Sequence, residues 1–284
     1  MFPEVSAMRR LNAGNIARRK GSAPFAMMTA YDAPFGRCVE EAGIDIILVG
    51  DTVGMVVLGY DSTVPVTVAD MIHHTAAVAR GTHKAHIVAD LPFASYQASD
   101  EDAIRSASRL IQEGGATSVK LEGGASAAPR IRAIVQAGIP VMAHIGLLPQ
   151  TAGLGAGYAP RTNLEILRAD AHSVQDAGAY AVVLELVEPS IAAALGKELA
   201  IPTIGIGSGA ACDGQVLVLH DVLGLFPNPP RFAKRYADLN DIIVDALRKY
   251  AQEVREQRFP SSPGLEFHDR VERSDKSRSD SPST

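Results

Sequence analysis

Tryptophan is absent from this 284-residue sequence, and aromatic residues make up only 5% of it. This scarcity disfavours a stacking platform for single-stranded nucleic acid. Lysine and arginine number 27 against 32 acidic residues, so the formal net charge of -5 offers no basic footprint for nucleic acid. No apolar stretch approaches the roughly 20 residues that a membrane-spanning helix needs. We therefore expect neither nucleic acid nor a membrane as a partner.

Cysteine is also scarce, because the sequence contains only Cys38 and Cys212, far apart along the chain. Two such residues indicate a reducing compartment and no disulfide framework. The first 15 residues have no long apolar core, so we expect no secretory signal and a cytoplasmic location. What the chain does have is a hydrophobic content of 46%, ample for one large core.

Strand-like and helix-like segments alternate along the chain. Eight apolar segments are predicted as strands, at 25–30, 45–50, 86–90, 117–122, 139–144, 181–186, 202–206 and 215–220. Helical patterns are predicted at 34–42, 68–80, 99–113, 126–137, 162–177, 189–199 and 238–257, with room for at most one helical turn at 207–214. Thr67 with Asp70, and Ser99 with Asp102, have the spacing of helix N-terminal caps.

This alternation predicts parallel strands joined by right-handed crossovers. At this length it favours a (β/α)8 TIM barrel. A doubly wound open sheet is the alternative, weakened by the lack of a glycine-rich fingerprint after the first strand. We predict a single barrel domain over 1–258, with an N-terminal extension and a C-terminal helix. The Ser-, Pro- and charge-rich residues 259–284 are predicted to be a disordered polar tail.

Four carboxylates stand at the ends of apolar strand segments, where burial is costly unless the charge is paired or bound to a metal. The C-terminal strand ends of a barrel meet on one face, where barrel active sites form. Asp51, Asp90 and Glu122 belong to the second, third and fourth strands, which are neighbours. Three carboxylates without histidine or cysteine suit Mg²⁺. Helix capping or ion pairing is the alternative for each acid.

The fourth carboxylate, Glu185, ends the sixth strand across the barrel from the other three, and we interpret it as a general base. Its alternative is a hydrogen-bonded rim residue. Lys120 lies two residues before Glu122 and shares its face, where it meets either an anionic substrate or Glu122 in a structural ion pair. His144 is a candidate accessory residue or a rim residue. Thr52 either contacts an anionic ligand or caps the next turn.

Six segments of the chain carry a family resemblance. They are GDTVGMVVLGYDSTVPVTVADMIHHTAAVARG at 50–81, ADLPFASY at 89–96, VKLEGG at 119–124, AHIGLLPQ at 143–150, LELVEP at 184–189 and IPTIGIGSGAACDGQVLVLHDVLGL at 201–225. Through them the chain resembles the ketopantoate hydroxymethyltransferase family from about residue 8 to 250. The resemblance implies a barrel of the phosphoenolpyruvate/pyruvate superfamily. It also implies transfer of a hydroxymethyl group from 5,10-methylenetetrahydrofolate to 3-methyl-2-oxobutanoate, in pantothenate biosynthesis.

Carried over by position, the resemblance gives a role to each strand-end residue. It implies Asp51, Asp90 and Glu122 as Mg²⁺ ligands, and Glu185 as the proton acceptor. Its implied substrate contacts are Asp51, Thr52, Asp90 and Lys120. It further implies a homodecamer built from pentameric rings, with the 2-oxo acid and the folate as small-molecule partners.

The chain departs from the family pattern after the fifth strand. It reads GLLPQTAGLGAGYAPRTN from 146 to 163, where the family usually has a GLTPQ-like segment, a glycine-rich stretch and a KVQG-type motif. This departure keeps two alternatives open. One is a folate-independent enzyme that cleaves or forms a C–C or P–C bond on another 2-oxo acid. The other is a catalytically silent barrel that binds an oxo acid.

Overall fold

A computed structural model describes residues 10–156, 159–226 and 229–260 of the chain. It divides the chain into two compact units, Met1–Ala237 and Asp238–Thr284. The tail that the composition predicts to be disordered, 259–284, falls outside the described residues from position 261 onward. The single domain over 1–258 stays a prediction. The C-terminal helix, Leu239–Arg255, belongs to the second unit.

Eight parallel strands close the first unit into a barrel, each strand pairing with the next in sequence and the last with the first. The strands are β1 (Phe25–Thr29), β2 (Ile46–Val49), β3 (His86–Asp90), β4 (Ser118–Glu122), β5 (Val141–Gly146), β6 (Ala181–Glu185), β7 (Thr203–Ile206) and β8 (Gly214–Leu217). Each of the eight predicted strands is thus found, although the last ends at Leu217 and residues 219–220 of its predicted range belong to a helix. The open-sheet alternative is wrong.

Helices follow most of the strands. They are α1 (Ala13–Ala17), α2 (Ala33–Glu41), α3 (Val53–Val56), α4 (Val68–Gly81), α5 (Asp100–Gln112), α6 (Ala128–Gln136), α7 (Pro149–Thr151), α8 (Leu164–Asp176), α9 (Pro189–Glu198), α10 (Leu219–Val222) and α11 (Leu239–Arg255), with a π-helical turn at Ala152–Ala156. The short link at 207–213 contains no helix. No helix among the described residues is long and apolar enough to cross a membrane.

Side-chain alternation along the strands decides what points into the barrel. In β2, Ile46 and Leu48 join the apolar cluster inside the barrel, whereas Ile47 and Val49 join the larger cluster under the helices. Strand side chains alternate between faces, so Asp90 points inward like Val88, two residues earlier. Apolar side chains thus fill much of the barrel interior, whereas the inward-facing residues of β4, Ser118, Lys120 and Glu122, are polar.

A polar layer closes the N-terminal end of the barrel, around the first residue of β3. His86 Nδ1 lies 3.1 Å from the Leu11 carbonyl, and its Nε2 lies 2.9 Å from both Ser118 Oγ and Tyr180 OH. Because a carbonyl only accepts, Nδ1 carries the proton and Nε2 accepts. Burial lowers the pKa of His86 to about 4, so the ring is neutral.

Candidate active site at the barrel mouth

Every residue that the sequence analysis selected for chemistry lines one pocket at the C-terminal end of the barrel, which we call the mouth. The residues are Asp51, Thr52, Asp90, Lys120, Glu122, His144 and Glu185. Apolar side chains from the barrel interior, among them Leu48, Val183 and Val216, form the floor of the same pocket. The sheet register explains this convergence, since it pairs Asp90 with Lys120 and Glu122 with His144 on adjacent strands.

Asp51, Asp90 and Glu122 form an acid cluster in which one oxygen of each carboxylate is held by an N–H group. The side-chain amide of Gln150 donates to Asp51 Oδ2 at 2.8 Å. The backbone N–H of Asp51 donates to Asp90 Oδ2 at 3.0 Å, and that of Gln150 donates to Glu122 Oε2 at 3.1 Å. The orientation of all three carboxylates is thereby set by the protein itself.

Lys120 places an ammonium group inside this acid cluster. Its Nζ lies 2.9 Å from Asp90 Oδ1, so its ion-pair partner is Asp90 and not Glu122, the partner considered from the sequence. Burial alone would lower the pKa of Lys120, but the charges of Asp90, Glu122 and Asp51 outweigh it and raise the pKa. The side chain therefore keeps its positive charge although it is 5% exposed.

The acid cluster carries more negative charge than Lys120 can balance. Burial, and then the charge of Asp90, raise the pKa of Asp51 to about 7. Burial and the charge of Asp51 raise the pKa of Glu122 well above its usual range. The raised pKa values show that ionising all three acids is costly here. With all three ionised, one ammonium would leave two negative charges, which one divalent cation would balance.

The donor set of the acid cluster fits a hard divalent cation, because it consists of carboxylate oxygens alone. Asp90 Oδ1 is buried without a hydrogen bond of good geometry, and the Lys120 ammonium lies 2.9 Å from it. No three His, Cys, Asp or Glu side chains within the described ranges already stand in metal-binding geometry.

Glu185 lies across the mouth and contacts His144. His144 Nε2 is 3.2 Å from Glu185 Oε2, and its Nδ1 is 3.4 Å from Lys120 Nζ. An ammonium only donates, so Nδ1 accepts and Nε2–H faces the Glu185 carboxylate. Burial and then the Lys120 charge lower the pKa of His144, which keeps the ring neutral in this role.

The backbone around Glu185 is fixed by its neighbours. Gly146, at the end of β5, has φ +97°, and a Cβ atom there would lie 2.3 Å from the Glu185 carbonyl oxygen, so only glycine fits. Ser208 Oγ donates to the Leu184 carbonyl at 2.7 Å and accepts from Val187 N–H at 3.0 Å. Ser208, in the Gly205–Gly209 turn, therefore holds the backbone on both sides of Glu185 by hydrogen bonds.

The divergent segment 159–162 lies against the residues that follow Glu185. Arg161 N–H donates to the Leu186 carbonyl at 2.8 Å, and Glu188 N–H donates to the Arg161 carbonyl at 3.0 Å. These bonds form a single parallel bridge between Arg161 and Val187. The contacts are made by the backbone, so the altered side chains of this segment leave the attachment intact.

Thr52 does not cap the turn that follows it, since its side chain makes no capping hydrogen bond to α3. Its hydroxyl instead lies 2.7 Å from Tyr31 OH, and the Tyr31 carbonyl lies 2.7 Å from His74 Nδ1. The capping alternative for Thr52 is therefore wrong. Thr52 remains at the pocket wall with its hydroxyl oriented by Tyr31.

Gln150 and Tyr96 contact the site and were not selected from the sequence. Tyr96 OH lies 2.8 Å from Gln150 Oε1 and 3.0 Å from the Glu122 carbonyl. Neither residue carries a charge, so neither stood out among the strand-end acids. Their position in the sequence could have indicated them. ADLPFASY at 89–96 and AHIGLLPQ at 143–150 both continue past the C-terminal end of a strand, where a barrel has its active site.

Comparison with known proteins identifies close relatives of the whole chain. A family model described as ketopantoate hydroxymethyltransferase matches residues 10–262. The 3-methyl-2-oxobutanoate hydroxymethyltransferase of Carboxydothermus hydrogenoformans is 55% identical over 240 residues, which cover 83% of this chain and 87% of that protein. The protein of the same name from Chloroflexus aurantiacus is 56% identical over 238 residues, covering 82% and 84%.

Solved structures share the fold at low sequence identity. Phosphoenolpyruvate phosphomutase from Streptomyces platensis superposes with a TM-score of 0.59 at 16% identity, covering 88% of this chain and 90% of that one. A 2,3-dimethylmalate lyase of the PEP mutase/isocitrate lyase superfamily gives 0.54 at 18% identity, covering 90% of each chain. These matches show that the chain shares its barrel fold with both proteins.

Proposed function

Because the chain belongs to the ketopantoate hydroxymethyltransferase family, we propose that the mouth pocket is its active site. The chain is an enzyme that adds a hydroxymethyl group to 3-methyl-2-oxobutanoate and so forms ketopantoate. The observation that carries the site assignment is the convergence of seven strand-end residues on one pocket. The folate donor, the metal and the residue roles below are our proposals.

The acid cluster is proposed to hold Mg²⁺ through Asp51, Asp90 and Glu122. The unbalanced buried charge of the cluster and its all-oxygen donor set support this choice. When bound, the ion supplies Lewis-acid polarisation of the 2-oxo acid and stabilises the negative charge of its enolate. Asp51 and Asp90, which face the same space, would also border the bound substrate.

Lys120 and Thr52 are proposed to bind the anionic substrate. The Lys120 ammonium stays protonated and lies at the pocket wall, so it offsets the carboxylate and the charge that develops on the keto oxygen. The Thr52 hydroxyl, oriented by Tyr31 at 2.7 Å, can donate to a substrate oxygen. Together they hold the oxo acid with its C3 atom toward the other side of the mouth.

Glu185 is proposed to remove the proton from C3 of 3-methyl-2-oxobutanoate. The electron pair of the C–H bond moves into the enolate, and C3 then forms a bond to the one-carbon unit of 5,10-methylenetetrahydrofolate. The two C–N bonds of that unit break: the oxygen of water stays on the carbon, its two protons go to the nitrogens of the departing tetrahydrofolate, and the proton that Glu185 removed ends on the new hydroxyl group. His144, 3.2 Å from Glu185, is proposed as a positioning residue that directs the carboxylate toward the substrate.

The cellular setting follows from the same family membership and remains a proposal. The product would enter pantothenate biosynthesis, and the enzyme would work in the cytoplasm. We also propose assembly into a homodecamer, with small molecules and copies of the chain as its partners. Neither nucleic acid nor a membrane is proposed as a partner.

A turnover assay tests the proposed donor and metal. The purified full chain is incubated with 3-methyl-2-oxobutanoate and 5,10-methylenetetrahydrofolate, with Mg²⁺ or after chelation, and ketopantoate is quantified. We expect product only when the folate and the metal are both present. Product that forms equally well without the folate would contradict the proposed donor, and full activity after chelation would contradict the proposed metal.

A further inference from the structure

Gln150, which the sequence analysis did not select, donates hydrogen bonds to two of the three carboxylates in the acid cluster. Its side-chain Nε2 donates to Asp51 Oδ2 at 2.8 Å and to the Leu91 carbonyl at 2.9 Å. Its backbone N–H donates to Glu122 Oε2 at 3.1 Å. One residue thus holds two of the three carboxylates, through two different groups, although they come from different strands.

The orientation of the Gln150 amide is fixed by its partners. Both acceptors, the Asp51 carboxylate and the Leu91 carbonyl, require N–H groups, so Nε2 must face them. Oε1 lies on the other side, 2.8 Å from Tyr96 OH, which can donate to it. Gln150 is 2% exposed and Tyr96 is 3% exposed, so water does not compete for these bonds. Turning the amide over would place Oε1 against two acceptors and would break both bonds that Nε2 donates.

The local chain explains why Gln150 supplies both groups. Pro149 begins the short helix α7 and has no N–H, so Gln150 provides the first free backbone amide of that turn. Glu122 on β4 pairs with His144 on β5, two residues before β5 ends at Gly146, and this brings the following turn over the acid cluster. Both N–H groups of Gln150 then point toward the acids.

An amide suits this position for an electrostatic reason. The acid cluster already contains the Lys120 ammonium, and a second cation would neutralise the charge that a metal ion needs. A neutral N–H donor instead fixes one oxygen of each carboxylate and leaves the net charge unchanged. Groups that orient metal ligands in this way commonly contribute 10- to 100-fold to metal affinity.

We propose that Gln150 is a positioning residue that presets Asp51 and Glu122 for binding a divalent cation, with Tyr96 locking its amide. This inference rests on the proposed function of the acid cluster as a metal site. Gln150 itself touches neither the reacting atoms nor the ion. Its loss therefore lowers metal affinity, whereas the proton transfer at Glu185 is retained once metal is saturating.

The experiment uses the full-length chain and Mn²⁺ as the probe. Free Mn²⁺ is measured by electron paramagnetic resonance during titration of wild type, Gln150→Met, Gln150→Ala and the control Gln136→Met. Methionine matches the length of glutamine but cannot donate, and Gln136 is an exposed residue at the end of α6. The same proteins are assayed for the Mg²⁺ concentration that gives half-maximal exchange of the substrate C3 proton.

We expect both Gln150 variants to weaken Mn²⁺ binding about 10- to 100-fold and to raise the half-maximal Mg²⁺ concentration to the same extent. Exchange at saturating Mg²⁺ should stay within about threefold of wild type per folded molecule, and Gln136→Met should match wild type. Gln150→Ala keeps the test open should Gln150→Met fail to fold.

Three outcomes would contradict one or both proposals, and they can be told apart. Folded Gln150 variants that bind Mn²⁺ within twofold of a wild type that itself binds would overturn the role of Gln150 and leave the proposed function standing. A wild type that binds no Mn²⁺ and exchanges no proton would overturn the proposed function, and this inference with it. A loss of exchange that saturating Mg²⁺ does not restore would also contradict a positioning role.

Discussion

Asp90 makes two different contacts, one for each of its oxygens. Oδ2 accepts from the backbone N–H of Asp51, whereas Oδ1 faces the Lys120 ammonium. The sequence identified both side chains but not their pairing, because the pairing depends on the register between β3 and β4. The sequence analysis did not select Gln150 for a related reason. Its contacts with Asp51, Leu91 and Glu122 depend on the tertiary structure, and its side chain carries no charge.

Removing the Lys120 ammonium should destabilise the protein. Lys120→Met leaves Asp90 buried against two other acids, and breaking a buried ion pair in this way costs about 3 kcal/mol. Adding Mg²⁺ should restore part of the loss, because the ion would replace the missing positive charge. Urea denaturation with and without Mg²⁺ measures both effects.

Lys197→Met is the matched control, since Lys197 is an exposed residue near the end of α9. It should change the free energy of unfolding by less than about 0.5 kcal/mol. Equal stability of Lys120→Met and Lys197→Met would show that the Lys120–Asp90 pair contributes nothing.

At the level of single helices, the sequence correctly predicted two N-terminal caps. Thr67 and Asp70 form a reciprocal cap on α4, and the Ser99 hydroxyl accepts from Asp102 N–H at the start of α5. Both caps are confirmed because capping is a local interaction. The short helices α3 and α7 were not predicted, since three or four residues give no periodicity and tertiary contacts at the mouth hold them.

The α4 cap gives a prediction at the level of this helix. Thr67→Ala removes the hydroxyl that accepts from Asp70 N–H, and it should lower the free energy of unfolding by about 1 kcal/mol. Thr67→Ser keeps the hydroxyl and should remain within a few tenths of a kcal/mol of wild type. Urea denaturation at neutral pH compares the three proteins, and equal midpoints for all of them would exclude a contribution from the cap.

The polar layer at the N-terminal end of the barrel gives a pH-dependent prediction. The folded pKa of His86 is about 4, below its ordinary value of 6.5, so the unfolded chain binds the extra proton first as pH falls. The stabilising contribution is complete above pH 6.5, declines between pH 6.5 and 4, and is absent below that range. A shift of this size corresponds to about 3 kcal/mol.

His86→Gln tests this layer because glutamine can hydrogen-bond but does not titrate. Urea denaturation between pH 7 and pH 4 should show that wild type loses about 3 kcal/mol more stability than the variant. Parallel pH curves for the two proteins would mean that His86 is not held neutral by burial.

For the molecule as a whole, the barrel could be predicted from the alternation of eight apolar strands with helices, and its closure is confirmed. What the pattern could not supply was which side chains pair across neighbouring strands. Lys120 pairs with Asp90 because of the register between β3 and β4, which strand and helix periodicity does not encode.

The proposed reaction places two different chemical tasks on opposite sides of the mouth. In the proposed function, the acid cluster on one side stabilises charge and Glu185 on β6, across the mouth, accepts the proton. Glu185→Gln removes the base while keeping the size of the side chain. Glu188→Gln is the matched control, because Glu188 lies three residues further on and caps α9.

Exchange of the C3 proton of 3-methyl-2-oxobutanoate with deuterium, followed by NMR in the presence of Mg²⁺, tests the central claim most directly. We expect wild type and Glu188→Gln to exchange the C3 proton. We expect no exchange by Glu185→Gln, although that variant should still bind the oxo acid. Exchange by folded Glu185→Gln at the wild-type rate, or no exchange by folded wild type with Mg²⁺, would contradict the account.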